Sequence, residues 1–218
     1  MLKTLLFISP VIPTPSNRGS VVRTAMNIKL LQELGFKITI LILNRSEETT
    51  SSKEIEDRCA VEFPGSKVHV RKHPYFLKNS KKPNEIKIYR NYRIRLAIES
   101  ILLRQWKITN EFESPTNFRK LINKELKSNR YQYVFFNYTK MYLPKPRSAN
   151  YEDIIDMHDL QYKRIKNDLM HKWPIYIRNL RYLIFKRSEI SILRKAKKLI
   201  AISSTEKETL EKFFSYKR

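Results

Sequence analysis

The chain has 218 residues, 41% of them apolar, with one cysteine, three glycines and a net charge of +23 from 44 Lys plus Arg against 21 Asp plus Glu. That length can bury a full core; the lone Cys59 excludes an internal disulfide and fits a reducing compartment, so the cytoplasm is the expected location; and no run of about 18 apolar residues supports a spanning helix. A charge this large attracts nucleic acid, anionic lipid or acidic substrates, and the Lys-rich bias that base composition can produce explains the eighteen arginines poorly.

Lys3 to Ser9 reads as an apolar strand, and Pro10, Pro13 and Pro15 interrupt it before it could serve as a signal peptide. The loop that follows leads through Asn17 and Arg18 to Gly19 and Ser20, where an amphipathic helix opens. Val21, Val22, Ala25, Met26, Ile28, Leu30, Leu31 and Leu34 recur at mostly helical spacing, and Gly35 stands where a terminating glycine is expected. Phe36 to Leu43 is a second buried strand and completes a βαβ unit. Residues 44 to 67 are polar, with a loop at 47–52, a short helix at 53–59 and a third strand at 67–70.

Beyond an exposed connection at 78–85, a basic helical pattern covers 86 to 108. Another helix covers 116 to 128, with Phe118, Leu121, Ile122 and Leu126 on one face. Aromatic and β-branched content makes 131–138 a strand. A short strand at 153–156 leads into Met157-His158-Asp159, and the last strand runs over 198–202. Ser203 caps the final helix, with acids in its first turn. The alternation of strands and helices predicts a single α/β domain over 1–218, a Rossmann-like, doubly wound parallel sheet.

Such sheets bind ligands at the carboxyl ends of their strands, so the turns at 9–20, 156–160 and 202–205 form one candidate rim. Gly19 allows unusual backbone angles and close approach of a ligand. A helix N-terminus flanked by Arg18 and Arg23 suits phosphate or another anion, although the segment also reads as an ordinary turn with solvated arginines. His158, between Asp156 and Asp159, could be oriented by one carboxylate to bind a hydroxyl or phosphate or to move a proton; a capping or surface histidine is the plainer reading. His69, His73 and His171 read as structural or solvated, and no residue spacing calls for a metal.

Residues 163 to 198 carry twelve Lys or Arg against Asp168 and Glu189, interleaved with Trp173, Tyr176, Leu180, Leu183 and Phe185 among others. That mixture suits an anionic membrane surface. A helix with one core face and one solvated basic face is the alternative. Nucleic acid is less favoured, since no known binding motif accompanies the charge.

At these residues the chain resembles the N-terminal domain of GT-B glycosyltransferases of the GT4 type. The resemblance rests on Leu6-Phe7-Ile8-Ser9-Pro10 with Pro13 to Ser20 and Arg23, on Ile155-Asp156-Met157-His158-Asp159, and on Ala196 to Ser203 before a helix. It implies the acceptor-binding half of a two-domain enzyme that moves a sugar, with retention of configuration, from a nucleotide sugar to a lipid-linked or surface-polysaccharide acceptor. By the same resemblance Asn17, Arg18, Gly19, Ser20 and Arg23 touch the acceptor or the donor phosphates. His158 meets the transferred sugar with Asp159 beside it at the reaction centre, and Asp156 and Ser203 are further substrate contacts.

Ser20 stands where the family has a second glycine. The family's donor-binding domain has no room after Ser203, so the expectation is half an enzyme: a fragment, a relic, or one subunit of a split transferase whose partner supplies the donor site. The nucleotide sugar is a co-substrate, and neither cofactor nor metal is implied. Many enzymes of that family sit on the inner membrane face, which agrees with the basic segment. The competing expectation is a non-catalytic basic module that binds anionic membrane or nucleic acid.

Overall fold

The computed structural model describes residues 3–14, 18–46, 50–102, 106–146, 149–163 and 174–215. Its strands are β1 (Lys3–Ser9), β2 (Phe36–Asn44), β3 (Lys67–Lys72), β4 (Tyr133–Asn137), β5 (Glu152–Asp156) and β6 (Lys198–Ile200). Its longer helices are α1 (Gly19–Glu33), α2 (Ser52–Glu62), α3 (Pro83–Ile101), α4 (Thr116–Ser128), α5 (Ile175–Leu193) and α6 (Ser204–Ser215). The six strands form one sheet in the order β3-β2-β1-β4-β5-β6, and every neighbouring pair is parallel. This is the doubly wound, Rossmann-like α/β arrangement that the sequence predicts, with the order reversing between β1 and β4.

Each strand is apolar enough to be covered on both faces, as parallel sheets require. Leu5 and Phe7 join Ile38, Ile40, Ile42 and Phe135 against Ile28 of α1 and Ile55 and Cys59 of α2. Leu6 and Ile8 point the other way and pack with Val134 and Phe136 against Phe118 and Ile122 of α4, Ile192 and Leu193 of α5 and Leu210 of α6. Thus α1 and α2 cover one face and α4 to α6 the other. Gly35 ends α1 at φ +81°, a left-handed turn that an L side chain rarely adopts.

Several boundaries differ from the sequence reading. Ser51 accepts a hydrogen bond from the Glu54 N–H (3.1 Å) and starts α2 earlier and longer than expected. The basic pattern over 86–108 yields a helix only to Ile101. β6 stops at Ile200, whose carbonyl takes the Met157 N–H at 3.0 Å. α3 docks on a 3-10 turn at Pro74–Leu77 and buries only Tyr92. No helix among the described residues is long and apolar enough to cross a membrane.

Candidate functional site

The carboxyl ends of β1, β4 and β5 are adjacent, so Ser9, Asn137 and Asp156 emerge on the α1 side of the sheet at the point where strand order reverses. Their side chains are 0% exposed and form one polar network with α1. Arg23 grips Asp156 with two bonds, Nε to Oδ2 at 3.1 Å and Nη2 to Oδ1 at 2.5 Å, and Asn27 Nδ2 adds a third at 2.8 Å. Burial raises the Asp156 carboxyl, but hydrogen bonds from His158 and Arg23, with their charges, outweigh it and hold the group below its ordinary range. The hydrogen bond to Asp156 raises the Arg23 pKa against the lowering effect of burial.

Asn137 links this pair to His158. Its Nδ2 donates to Ser9 Oγ (2.9 Å) and to Thr24 Oγ1 (3.0 Å). Both hydroxyls have spent their own protons on backbone carbonyls, Ser9 on Val11 and Thr24 on Ser20, so each can only accept. The amide orientation follows, and Asn137 Oδ1 faces His158 Nε2 at 2.7 Å. Nε2 therefore carries the proton and donates, with Asp156 Oδ2 farther off at 3.5 Å. The sequence suggests that a neighbouring carboxylate orients His158; the nearer partner is this amide, 21 positions away in the chain. The neutral ring is expected to be the Nε2–H tautomer, with Nδ1 unprotonated. Long-range ¹⁵N–¹H NMR of His158 should show that pattern, and Asn137→Ala should mix the two tautomers; an Nδ1–H pattern in the unsubstituted protein would contradict the network.

Tyr138 closes the site from above. Its ring lies flat on His158, with centroids 3.9 Å apart, and its backbone has φ +77°, the one positive value among the described non-glycine residues. Strain of this kind concentrates at functional positions. The N–H of Tyr138 on Asp156 O at 2.9 Å helps to hold it.

The three strand-to-helix turns differ in how their N–H groups are satisfied. After β5, Glu206 accepts from the Leu160 N–H at 3.3 Å, and Glu189 accepts from Gln161 and Tyr162 at 3.1 and 2.9 Å and from the Thr139 hydroxyl at 3.2 Å. Burial lifts the Glu189 carboxyl to about 7 despite those bonds. After β6, Ser203 Oγ accepts from the Glu206 N–H at 3.2 Å, so that serine is a helix cap on an exposed turn. At α1 the N-cap is Arg18, whose side chain makes no capping bond, and no acid stands in the first turn. Of the three turns, this is the one whose helix dipole its own cap and first turn leave uncompensated.

The sequence-predicted residues are therefore only partly brought together. Arg23, Asp156 and His158 form the network, and Ser20 joins through its carbonyl. Gly19 has ordinary helical geometry with nothing within 4 Å of where a Cβ would stand, so its expected unusual backbone angles are absent, while the space for a ligand is present. Asp159 is exposed. Asn17 and His171 lie outside the described residues. Sequence reasoning missed Ser9, Thr24, Asn27, Asn137 and Tyr138, although Asn137 and Tyr138 at the end of a strongly apolar strand were a readable signal.

Further along the same rim, Lys140 Nζ stands over the Tyr138 ring at 5.2 Å and 3.5 Å from Glu113, which also pairs with Arg45 at 2.6 Å. Arg45, His73, Tyr75, Phe76 and Phe112 line a hollow of about 440 Å³ there. His73 is buried, donates from Nε2 to Phe112 O and accepts the Tyr75 N–H, and burial lowers it to about 4. It is structural, as expected. A larger hollow of about 890 Å³, bordered by Thr4, Arg130, Gln132 and Tyr151, opens at the amino ends of the strands, the wrong edge for a parallel-sheet site. Burial pushes the Cys59 thiol up to about 11, which removes it as a nucleophile. Among the described residues no three His, Cys, Asp or Glu side chains converge as a metal would require. No protein-family model matches the chain, and no curated protein matches its sequence.

Proposed function

We propose that this chain is the acceptor-binding domain of a sugar transferase that uses a nucleotide sugar and a lipid-linked or surface-polysaccharide acceptor at the inner face of a membrane. The observation that carries the reading is His158, held as an Nε2–H donor by Asn137 beside α1, whose N-cap side chain makes no capping bond, at the reversal point of the sheet. A helix N-terminus with Arg18 beside it suits phosphate charge. An imidazole of fixed tautomer, whose Nδ1 can accept from a hydroxyl, suits a sugar. Arg23 serves this site by fixing Asp156 and α1, since its guanidinium is committed to that carboxylate. Donor binding falls to a second domain or partner chain.

The test is transfer from labelled nucleotide sugars to membrane extract by the protein with whatever donor-binding partner co-purifies. His158→Ala is expected to lower turnover by roughly a hundredfold or more while vesicle affinity stays unchanged. Equal turnover in the variant, or no transfer with any nucleotide sugar, would leave the competing reading of a non-catalytic basic module.

A further inference from the structure

We infer that α3 is the surface with which this protein lies on an anionic bilayer, an inference that rests on the membrane part of the function proposed above but names a different element from the basic segment at 163–198. Helical geometry puts Ile86, Ile94, Ile98 and Ile101 on the face opposite the buried Tyr92, and they are 48, 54, 50 and 81% exposed. α1 and its C-cap expose a comparable stripe, Val22, Met26, Leu30 and Leu34 at 44, 64, 54 and 58%, but the helix's own cations Arg23 and Lys29 are paired with Asp156 and Glu62. An apolar stripe set among exposed cations is the kind that marks a membrane-binding surface. Lys87 and Arg90 stand among the isoleucines, Arg93 and Arg95 flank them, and all four are exposed.

The only acids of α3 turn inward. Glu85 accepts from Ser80 Oγ at 2.5 Å, and Glu99 accepts the Glu111 N–H at 2.6 Å. The outward face is thus apolar and uniformly positive. That pairing of properties selects the occupant: anionic headgroups meet the cations while the isoleucines enter the acyl boundary. Nucleic acid would leave the isoleucines unused, and a second copy of the chain would set cation against cation.

α5 is a weaker candidate. It also exposes Ile175, Tyr176, Leu180 and Leu183, but of its four cations Arg178, Arg181 and Lys186 are half-buried and only Arg187 is exposed. All four cations of the α3 face are exposed, although Arg93 also lies over Tyr89 at 5.9 Å. Arg181 lies over Phe185 at 5.7 Å, and Lys186 lies over Tyr162 and Tyr182 at 5.8 and 5.9 Å. α3 also packs on the turn at Pro74–Leu77, beside the rim hollow that Tyr75 and Phe76 line.

The experiment is co-sedimentation of the full chain with phosphatidylglycerol/phosphatidylcholine vesicles and with phosphatidylcholine alone, at low and high salt. The unsubstituted protein should prefer the anionic vesicles and release with salt. Ile94→Asp with Ile98→Asp, both exposed and therefore compatible with folding by circular dichroism, should weaken binding roughly tenfold or more, whereas Leu180→Asp on α5 should have little effect. Equal binding to neutral vesicles, an unaffected α3 variant, a loss confined to Leu180→Asp, or preference for polyuridylate over vesicles would each overturn the inference. Transfer to a soluble acceptor reports separately on the sugar-transfer reading, so either can fail without the other.

Discussion

Asp156→Ala is expected to lower folding stability by about 2–3 kcal/mol, less than the roughly 3–5 kcal/mol for breaking a fully buried ion pair because the Arg23 side chain is 29% exposed. The carboxylate is fully buried and takes three hydrogen bonds from α1. Its loss strands the Arg23 guanidinium and the Asn27 amide against the sheet. Because Arg23 and Asp156 are 133 residues apart, the same change releases the N-terminal turn of α1 from β5 and loosens the pocket around His158. Urea unfolding measures the loss. The double variant Arg23→Ala, Asp156→Ala should recover part of it, since no charge is then left unpaired; a double variant no more stable than the single one would mean that the cost lies elsewhere.

Glu189 should give the fold a pH dependence of the opposite sense. Burial raises its carboxyl from the ordinary 4.5 to about 7, so between those values the folded chain holds a proton that the unfolded chain has released. Stability is therefore full below about pH 4.5, falls as pH rises towards 7 and levels off above, with a total on the order of 3 kcal/mol. Asp156 runs the other way: its lowered pKa adds stability that is present above the ordinary carboxyl range and is lost as pH falls below it. Thermal unfolding of the protein and of Glu189→Gln from pH 5 to 8 isolates the first effect by difference. The variant should be less stable at low pH, because its amide nitrogen would face a donor, the Tyr162 N–H or the Gln161 N–H and Thr139 hydroxyl, where either oxygen of the protonated carboxyl can still accept, but its stability should fall less over the window. Parallel pH profiles would rule out Glu189 as the source.

What the sequence disclosed and what it hid divide along one physical line. The βαβ unit, the terminating Gly35 and the helix at 116–128 were legible because periodicity, caps and glycine conformation act over a few residues. The site was legible only as a rim. His158 and Asp156 stand out at a strand end, but the bonds that define them join Asn137 to Ser9 across 128 positions and to Thr24 across 113, and strand register alone brings these together. Alternation past β5 also separates the two acids that flank His158, one buried in the network and the other exposed. The membrane surface was hard to assign for a related reason. A basic helix with scattered apolar residues has the same composition whether its isoleucines face a core or the solvent, and only the packed fold distinguishes α3 from the C-terminal half of α5, which buries Phe185, Ile192 and Leu193.

The outermost strands, β3 and β6, give part of the positive charge a different task. β3 carries Lys67, Arg71 and Lys72, and β6 begins at Lys198 directly after Lys197. An open sheet offers backbone at both borders to any other extended chain. At β3 Glu56 already takes the Val70 N–H, and Lys197 and Lys198 share the single acid Glu152, so each border keeps a net positive charge and two such borders repel each other. The cations thereby oppose growth of the sheet from copy to copy, a safeguard against aggregation that asks nothing of any ligand.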